Sequence, residues 1–188
     1  MARVLGIVGS PRKNGNTHVL VRQILNGARR EGAETEELFL SDLEIKECDG
    51  CHTCWVGKRC PRKDDMEEVY PKIVESNVLV FGTPVYWYGP TGLMKTFIDR
   101  FVYFNCPANR KKIAGKRSVL AVPFEEDSPE TASLLVAMFE KCFEYLEVDF
   151  AGSFLVPGVT KRGEIRKKKD RMQEALNLGT KLAGRGSE

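Results

Sequence analysis

No run of apolar residues in this 188-residue chain approaches the roughly 18 that a membrane span needs. The start, Met1-Ala2-Arg3, leads directly into a strand pattern, and no small-residue cleavage site follows a long apolar stretch. A secretory leader is therefore not expected. The expected compartment is the cytoplasm, where thiols stay reduced. The chain also lacks a strong charge of one sign: a formal +3 is too small to argue for a nucleic-acid partner. Lys161 to Arg171 is basic, but Glu164 and Asp170 interrupt it and Glu174 follows, as on a solvated helix face. Two common phosphate motifs are missing. There is no Gly-Lys-Ser/Thr at the spacing of a nucleoside-triphosphate loop, and no Gly-x-Gly-x-x-Gly dinucleotide fingerprint. No internal repeat or linker is visible, and a hydrophobic content of 42% excludes global disorder.

What is present is an alternation of strand and helix patterns. Arg3 to Gly9 reads as a buried strand. Asn16 to Glu31 reads as a helix, with Val19, Leu20, Ile24, Leu25 and Ala28 at spacings of three and four. Thr35 to Leu40 is a second strand, with a Glu-rich start that points to exposure. After a long loop, a helix capped at Asp64-Asp65 runs to about Ser76, with Pro71 expected to kink or break it. Asn77 to Thr83 is apolar without alternation, as a strand covered on both faces requires. Pro90 to Tyr103 is the next helix, and Pro107 to Gly115 a basic connector. Arg117 to Val122 is another strand. Glu130 to Leu146 is a helix, preceded by Ser128 as cap and Pro129 at its first position. Val148 to Val156 is the last strand and Glu164 to Ala183 the terminal helix. The pattern predicts an α/β fold, a five-stranded parallel sheet with helices on both faces. One domain is expected over residues 1–184, with a cysteine-rich loop at 47–61 and a frayed tail at 185–188.

In such sheets ligands bind at the carboxyl ends of strands, at the topological switch point. Three loops should meet there. In the first, Gly9-Ser10-Pro11-Arg12-Lys13-Asn14-Gly15-Asn16-Thr17, small side chains let the backbone approach an anion and the helix start favours it. Ser10, Asn16 and Thr17 add donors, and Arg12 adds charge. The plainer alternative is a turn with an N-cap at Asn16 or Thr17. In the second, Thr83-Pro84-Val85-Tyr86-Trp87-Tyr88-Gly89, three aromatics suit a flat ligand or a subunit contact. The third, Pro123 to Ser128, carries Glu125, Glu126 and Asp127, which should point to solvent. His18 reads as a surface residue, and Lys95 and Asp99 as a surface pair four apart on a helix.

Cys48, Cys51, Cys54 and Cys60 lie in one loop, the last followed by Pro61. Bacterial ferredoxins use a similarly compact run ending Cys-Pro to hold a cubane cluster. Zinc competes, with His52 as a further ligand, although four-thiolate zinc sites more usually join two distant Cys pairs. Free thiols in a structural loop are the third possibility. Cys106 and Cys142 are expected to stay unpaired and outside any such site.

Gly9-Ser10-Pro11-Arg12 with Asn16-Thr17, then Thr83 to Gly89, then Leu93-Met94-Lys95-Thr96-Phe97-Ile98-Asp99-Arg100, together resemble the NADPH-dependent FMN reductase superfamily. Cys48-x2-Cys51-x2-Cys54 with Cys60 and Asp64-Asp65-Met66 is similar to its iron–sulfur flavoprotein branch. The likeness runs from the N-terminus to about Arg100. It implies a flavodoxin-like three-layer sandwich with strand order 2-1-3-4-5, bound FMN, and a homodimer or homotetramer. It implies that Ser10, Arg12, Asn16 and Thr17 hold the FMN phosphate. Pro84, Val85, Tyr86, Trp87, Tyr88 and Gly89 would line the isoalloxazine, and Cys48, Cys51, Cys54 and Cys60 a [4Fe–4S] cluster. Electrons would pass between a carrier such as ferredoxin, the cluster and FMN. Without a cluster, the implied activity is transfer from NAD(P)H to FMN, a quinone or another small acceptor. No side chain stands out as an acid or base, which suits chemistry carried by the flavin. An alternative from another class is a non-catalytic interaction module with zinc in the cysteine loop.

Overall fold

The computed structural model describes residues 1–184; the tail expected to fray, 185–188, lies outside them. Five strands form one parallel sheet: β1 (Arg3–Val8), β2 (Glu34–Phe39), β3 (Val78–Gly82), β4 (Arg117–Pro123) and β5 (Asp149–Val156). Their order is β2-β1-β3-β4-β5, as expected. β1 reverses the direction of winding, since β2 lies on one side of it and β3 on the other.

The three central strands are apolar throughout because both their faces are covered. Successive side chains point to opposite faces. Leu5, Ile7, Leu79, Phe81, Leu120 and Val122 thus enter one core layer. That layer is completed by α2 (Met66–Glu75), α3 (Gly92–Asp99) and α5 (Ser133–Tyr145). Val4, Val8, Val78, Val80, Val119 and Ala121 enter the other, under α1 (Asn16–Arg30) and α6 (Lys169–Ala183). The edge strands β2 and β5 alternate exposed and covered residues instead, which accounts for the glutamates of β2. A short helix, α4 (Pro107–Arg110), precedes β4.

α1 and α6 pack with backbones in near contact. A Cβ on Gly27 would lie 1.9 Å from the Leu176 oxygen, and one on Gly179 would lie 1.8 Å from the Ile24 oxygen. Pro71 does not end α2, which continues to Glu75. Pro71 is exposed, so the carbonyl it leaves unpaired can face water. Among the described residues no helix is long and apolar enough to cross a membrane.

Candidate functional site

The first loop leaves the sheet where β1 meets β3. Gly9 N–H donates to the Gly82 oxygen at 2.7 Å. A Cβ on Gly9 would lie 2.8 Å from Met94 Cε and 3.1 Å from that same oxygen, so only glycine fits. Ser10 and Thr17 are buried, and Ser10 Oγ accepts from Arg12 N–H at 3.3 Å. The N-cap of α1 is Gly15, not Asn16 or Thr17, and no side chain caps the helix. Its first N–H groups therefore stay available at the positive end of the helix dipole.

The second loop is locked to the first through Thr91, the N-cap of α3. Thr91 Oγ1 donates to the Gly9 oxygen at 2.5 Å and accepts from Met94 N–H at 3.2 Å. Thr83 Oγ1 accepts from Thr91 N–H at 3.2 Å. Between them Tyr86 and Gly89 exchange backbone bonds of 2.8 and 3.0 Å, closing a two-residue hairpin. Its tip residues, Trp87 and Tyr88, have φ of +50° and +61°. Two positive φ values match the twist of a tight hairpin, but they strain residues other than Gly, Asn and Asp. Trp87 is 96% exposed.

These loops border a cavity of about 170 Å³. Ser10, Arg12, Asn16 and Thr17 line it, as do Pro84, Val85 and Tyr86. Trp87, Tyr88 and Gly89 do not; they form the tip and return of the hairpin beyond it. The third loop reaches the cavity through Pro123, Phe124 and Glu125. Glu125, Glu126 and Asp127 are all exposed, but Glu125 does not simply face away, since it contributes to the wall. Val159, Thr160 and Arg162 complete the lining and were not anticipated. They follow β5 and carry no motif. The third loop brings them in, since Val159 N–H donates to the Phe124 oxygen at 2.9 Å and Gly158 N–H to the Glu126 oxygen at 3.1 Å.

Two residues at the start of α1 make contacts that the sequence alone does not show. The Asn16 side chain is committed to the segment after β5. It donates to the Val159 oxygen at 3.3 Å and accepts from Ile165 N–H at 3.2 Å. His18 is buried, not on the surface, because α1 turns it under β2 against the edge of Phe39. Its Nδ1 accepts from Asn14 N–H at 2.8 Å. Its Nε2 lies 2.9 Å from Glu37 Oε2 without the alignment of a good hydrogen bond. Burial lowers the His18 pKa, aided by Arg22 and Arg166 and opposed by Glu37.

Cys48, Cys51, Cys54 and Cys60 all border a second, narrow cavity of about 20 Å³, while Cys106 and Cys142 lie elsewhere. Burial raises the Cys54 thiol, and nearby Cys60, Cys48 and Cys51 raise it further. Beneath the loop the buried guanidinium of Arg100 donates to the Lys46 oxygen at 2.8 Å and to Cys60 Sγ at 3.4 Å. Burial works against its charge, but Asp64, paired with it, more than restores it and leaves the pKa raised. Arg62 Nε, at the same cavity, is buried and has no partner among the described residues. Among those residues no group of three or more His, Cys, Asp or Glu side chains stands ready to hold a metal ion. Lys95 and Asp99 pair at 2.6 Å on the surface of α3.

A parallel sheet in this order, with a small-residue loop and an aromatic loop meeting at the switch point, defines a flavodoxin-like architecture. A NAD(P)H:quinone oxidoreductase from Methanothermobacter marburgensis shares it. It superimposes with a TM-score of 0.76 at 15% identity, over 96% of this chain and 98% of that one. The family model described as NADPH-dependent FMN reductase matches residues 2–137. An iron–sulfur flavoprotein of Archaeoglobus fulgidus is 32% identical over 183 residues, 96% of this chain and 79% of that protein. An iron–sulfur flavoprotein of Methanocaldococcus jannaschii is 43% identical over 98 residues, 52% of this chain and 51% of that protein. Several other curated relatives are likewise matched over about half their length. The chain belongs to the NADPH-dependent FMN reductase family, a family of flavin-dependent oxidoreductases, in its iron–sulfur flavoprotein branch.

Proposed function

We propose that this chain binds FMN at the switch-point cavity and acts as an electron-transfer flavoprotein. On this reading it exchanges electrons between a carrier such as ferredoxin, a [4Fe–4S] cluster on Cys48, Cys51, Cys54 and Cys60, and FMN. The observation that carries it is the span of α3. At one end Thr91 holds Gly9 of the phosphate-type loop; at the other Arg100 holds Cys60. One rigid element thus positions both candidate sites.

FMN, when bound, supplies one- and two-electron chemistry, and the chain supplies binding and electrostatics. Ser10, Arg12, Asn16, Thr17 and the free N–H groups of α1 would hold the phosphate. Pro84 to Gly89 would present backbone N–H groups and aromatic faces to the ring. The cysteine pocket suits an anionic iron–sulfur group in its donor set. Four cysteines line it, Arg100 already donates to a sulfur, and Arg62 Nε awaits an acceptor. That support rests on chemistry, not on a preformed ligand cage.

A second reading, a cluster-free NAD(P)H-dependent FMN or quinone reductase, is favoured by the description of the family model. The deciding measurement is a visible spectrum with iron, sulfide and zinc analysis on anaerobically purified protein. Flavin bands plus broad absorption bleached by dithionite, with about four iron and four sulfide per chain, support the cluster. Flavin bands without iron favour the reductase. A colourless protein with zinc that fails to take up FMN overturns both and leaves an interaction module. We also assign the protein to the cytoplasm, as a homodimer or homotetramer in which a partner subunit covers the exposed hairpin tip. A monomer in sedimentation equilibrium would refute the oligomer.

A further inference from the structure

We infer that Arg162, contributed by the segment after β5, reads the phosphate of the cofactor and makes the site selective for phosphorylated flavin. This rests on FMN binding at the switch-point cavity. Arg162 lines that cavity together with Ser10, Arg12 and Thr17. Arg12 and Arg162 therefore approach the same end of the site from two different segments.

The approach is held from both sides. Asn16 ties Val159 and Ile165 to the start of α1, with Arg162 between them. Arg162 then turns back onto the first loop. Its Nε donates to the Lys13 oxygen at 2.9 Å, and Nη2 donates to the same oxygen. A guanidinium has five N–H donors in a fixed fork. With Nε and Nη2 on one carbonyl, Nη1 keeps both of its donors and has no partner among the described residues. No carboxylate among those residues pairs with Arg162 either. One fork can thus hold the loop and bind a phosphate oxygen at once, a geometry a lysine cannot reproduce. Arg162 thus adds a second guanidinium beside Arg12 at the wall that Asn16 also lines.

A plain clamp on Lys13 would make the same backbone contact, so the test must separate clamp from reader. FMN and riboflavin differ only by the phosphate. Their dissociation constants are measured by flavin fluorescence on FMN-stripped wild-type, Arg162→Ala, Arg162→Gln and Arg162→Lys protein at fixed ionic strength. The expected result is that Arg162→Ala weakens FMN by about 10- to 100-fold, the range for a charge-assisted bond. Riboflavin binding should change less than about threefold. Arg162→Gln, which keeps a neutral amide donor, should show the same selective loss and serves if the alanine variant folds poorly. Arg162→Lys should lie between, and the FMN loss should shrink with added salt. Equal loss of FMN and riboflavin, or no loss of either, overturns the inference while leaving FMN binding intact. Wild-type protein that binds both flavins equally overturns this inference alone, and wild-type protein that binds neither overturns the FMN reading and this inference together.

Discussion

Arg100 and Asp64 form an ion pair sealed beneath the cysteine loop, with side chains 1% and 0% exposed. Asp64 also accepts from Lys46 N–H at 3.0 Å and Met66 N–H at 3.1 Å. Tyr70 OH donates to the Arg100 backbone oxygen at 3.0 Å. The pair therefore pins both ends of the cysteine loop to the start of α2 and the end of α3. Removing one partner leaves the other charge buried and uncompensated. Arg100→Met should cost about 3–5 kcal/mol of stability. Combining it with Asp64→Asn should cost less than the sum of the single changes, read from urea midpoints at constant m. Additive losses would show that the two do not act as a pair.

The contact of α1 with α6 leaves no room for a methyl group at Gly27 or Gly179. Gly27→Ala should force the helices apart. The expected loss is at least about 1–3 kcal/mol, despite the better helix propensity of alanine. Thermal unfolding measures it. An unchanged or higher Tm would mean that the two backbones are not in contact in solution.

The hairpin tip sets stability against binding. Trp87 and Tyr88 occupy left-handed backbone positions at a cost of about 1–3 kcal/mol each. Trp87→Asn with Tyr88→Gly should raise Tm, because this pair is the favoured chemistry for such a turn. If the aromatics serve the flavin ring, FMN affinity should fall at the same time. A variant that is stabilised and binds FMN as tightly as wild type would remove Trp87 and Tyr88 from the site.

His18 makes stability depend on pH. Its folded pKa lies below the unfolded value of about 6.5, so above that pH both states are neutral and it contributes no slope. As pH falls below 6.5 the unfolded chain binds the proton more readily, and stability drops through the lowered folded pKa. The proton also displaces Asn14 N–H from Nδ1. Arg22 on the same helix and Arg166 after β5 oppose the charged form, and Glu37 on β2 favours it. Between pH 8 and pH 5, His18→Gln should lose less stability than wild type in urea titrations. Parallel pH dependence would show that His18 does not titrate on unfolding.

Much of the fold could be read from local pattern. Val78 to Phe81 had to be a doubly covered strand because four consecutive apolar residues cannot face water, and the glutamates of β2 marked an edge. The two cofactor-type loops and the cysteine run were legible because glycine, aromatic and thiol chemistry is concentrated in short stretches. Contacts distant in sequence were not legible. His18 looked exposed because its burial comes from β2, and the side-chain bonds of Asn16 to Val159 and Ile165 gave no local sign because those partners lie some 150 residues away. Glu125 and Arg162 entered the cavity wall only once the third loop zipped onto the segment after β5. Arg100 gave no local sign of its burial, since Asp64 and the cysteine loop, not its own helix, exclude water from it. Side-chain periodicity records which face of an element is covered. What covers it, and which polar groups that neighbour then satisfies, is settled only when the elements pack.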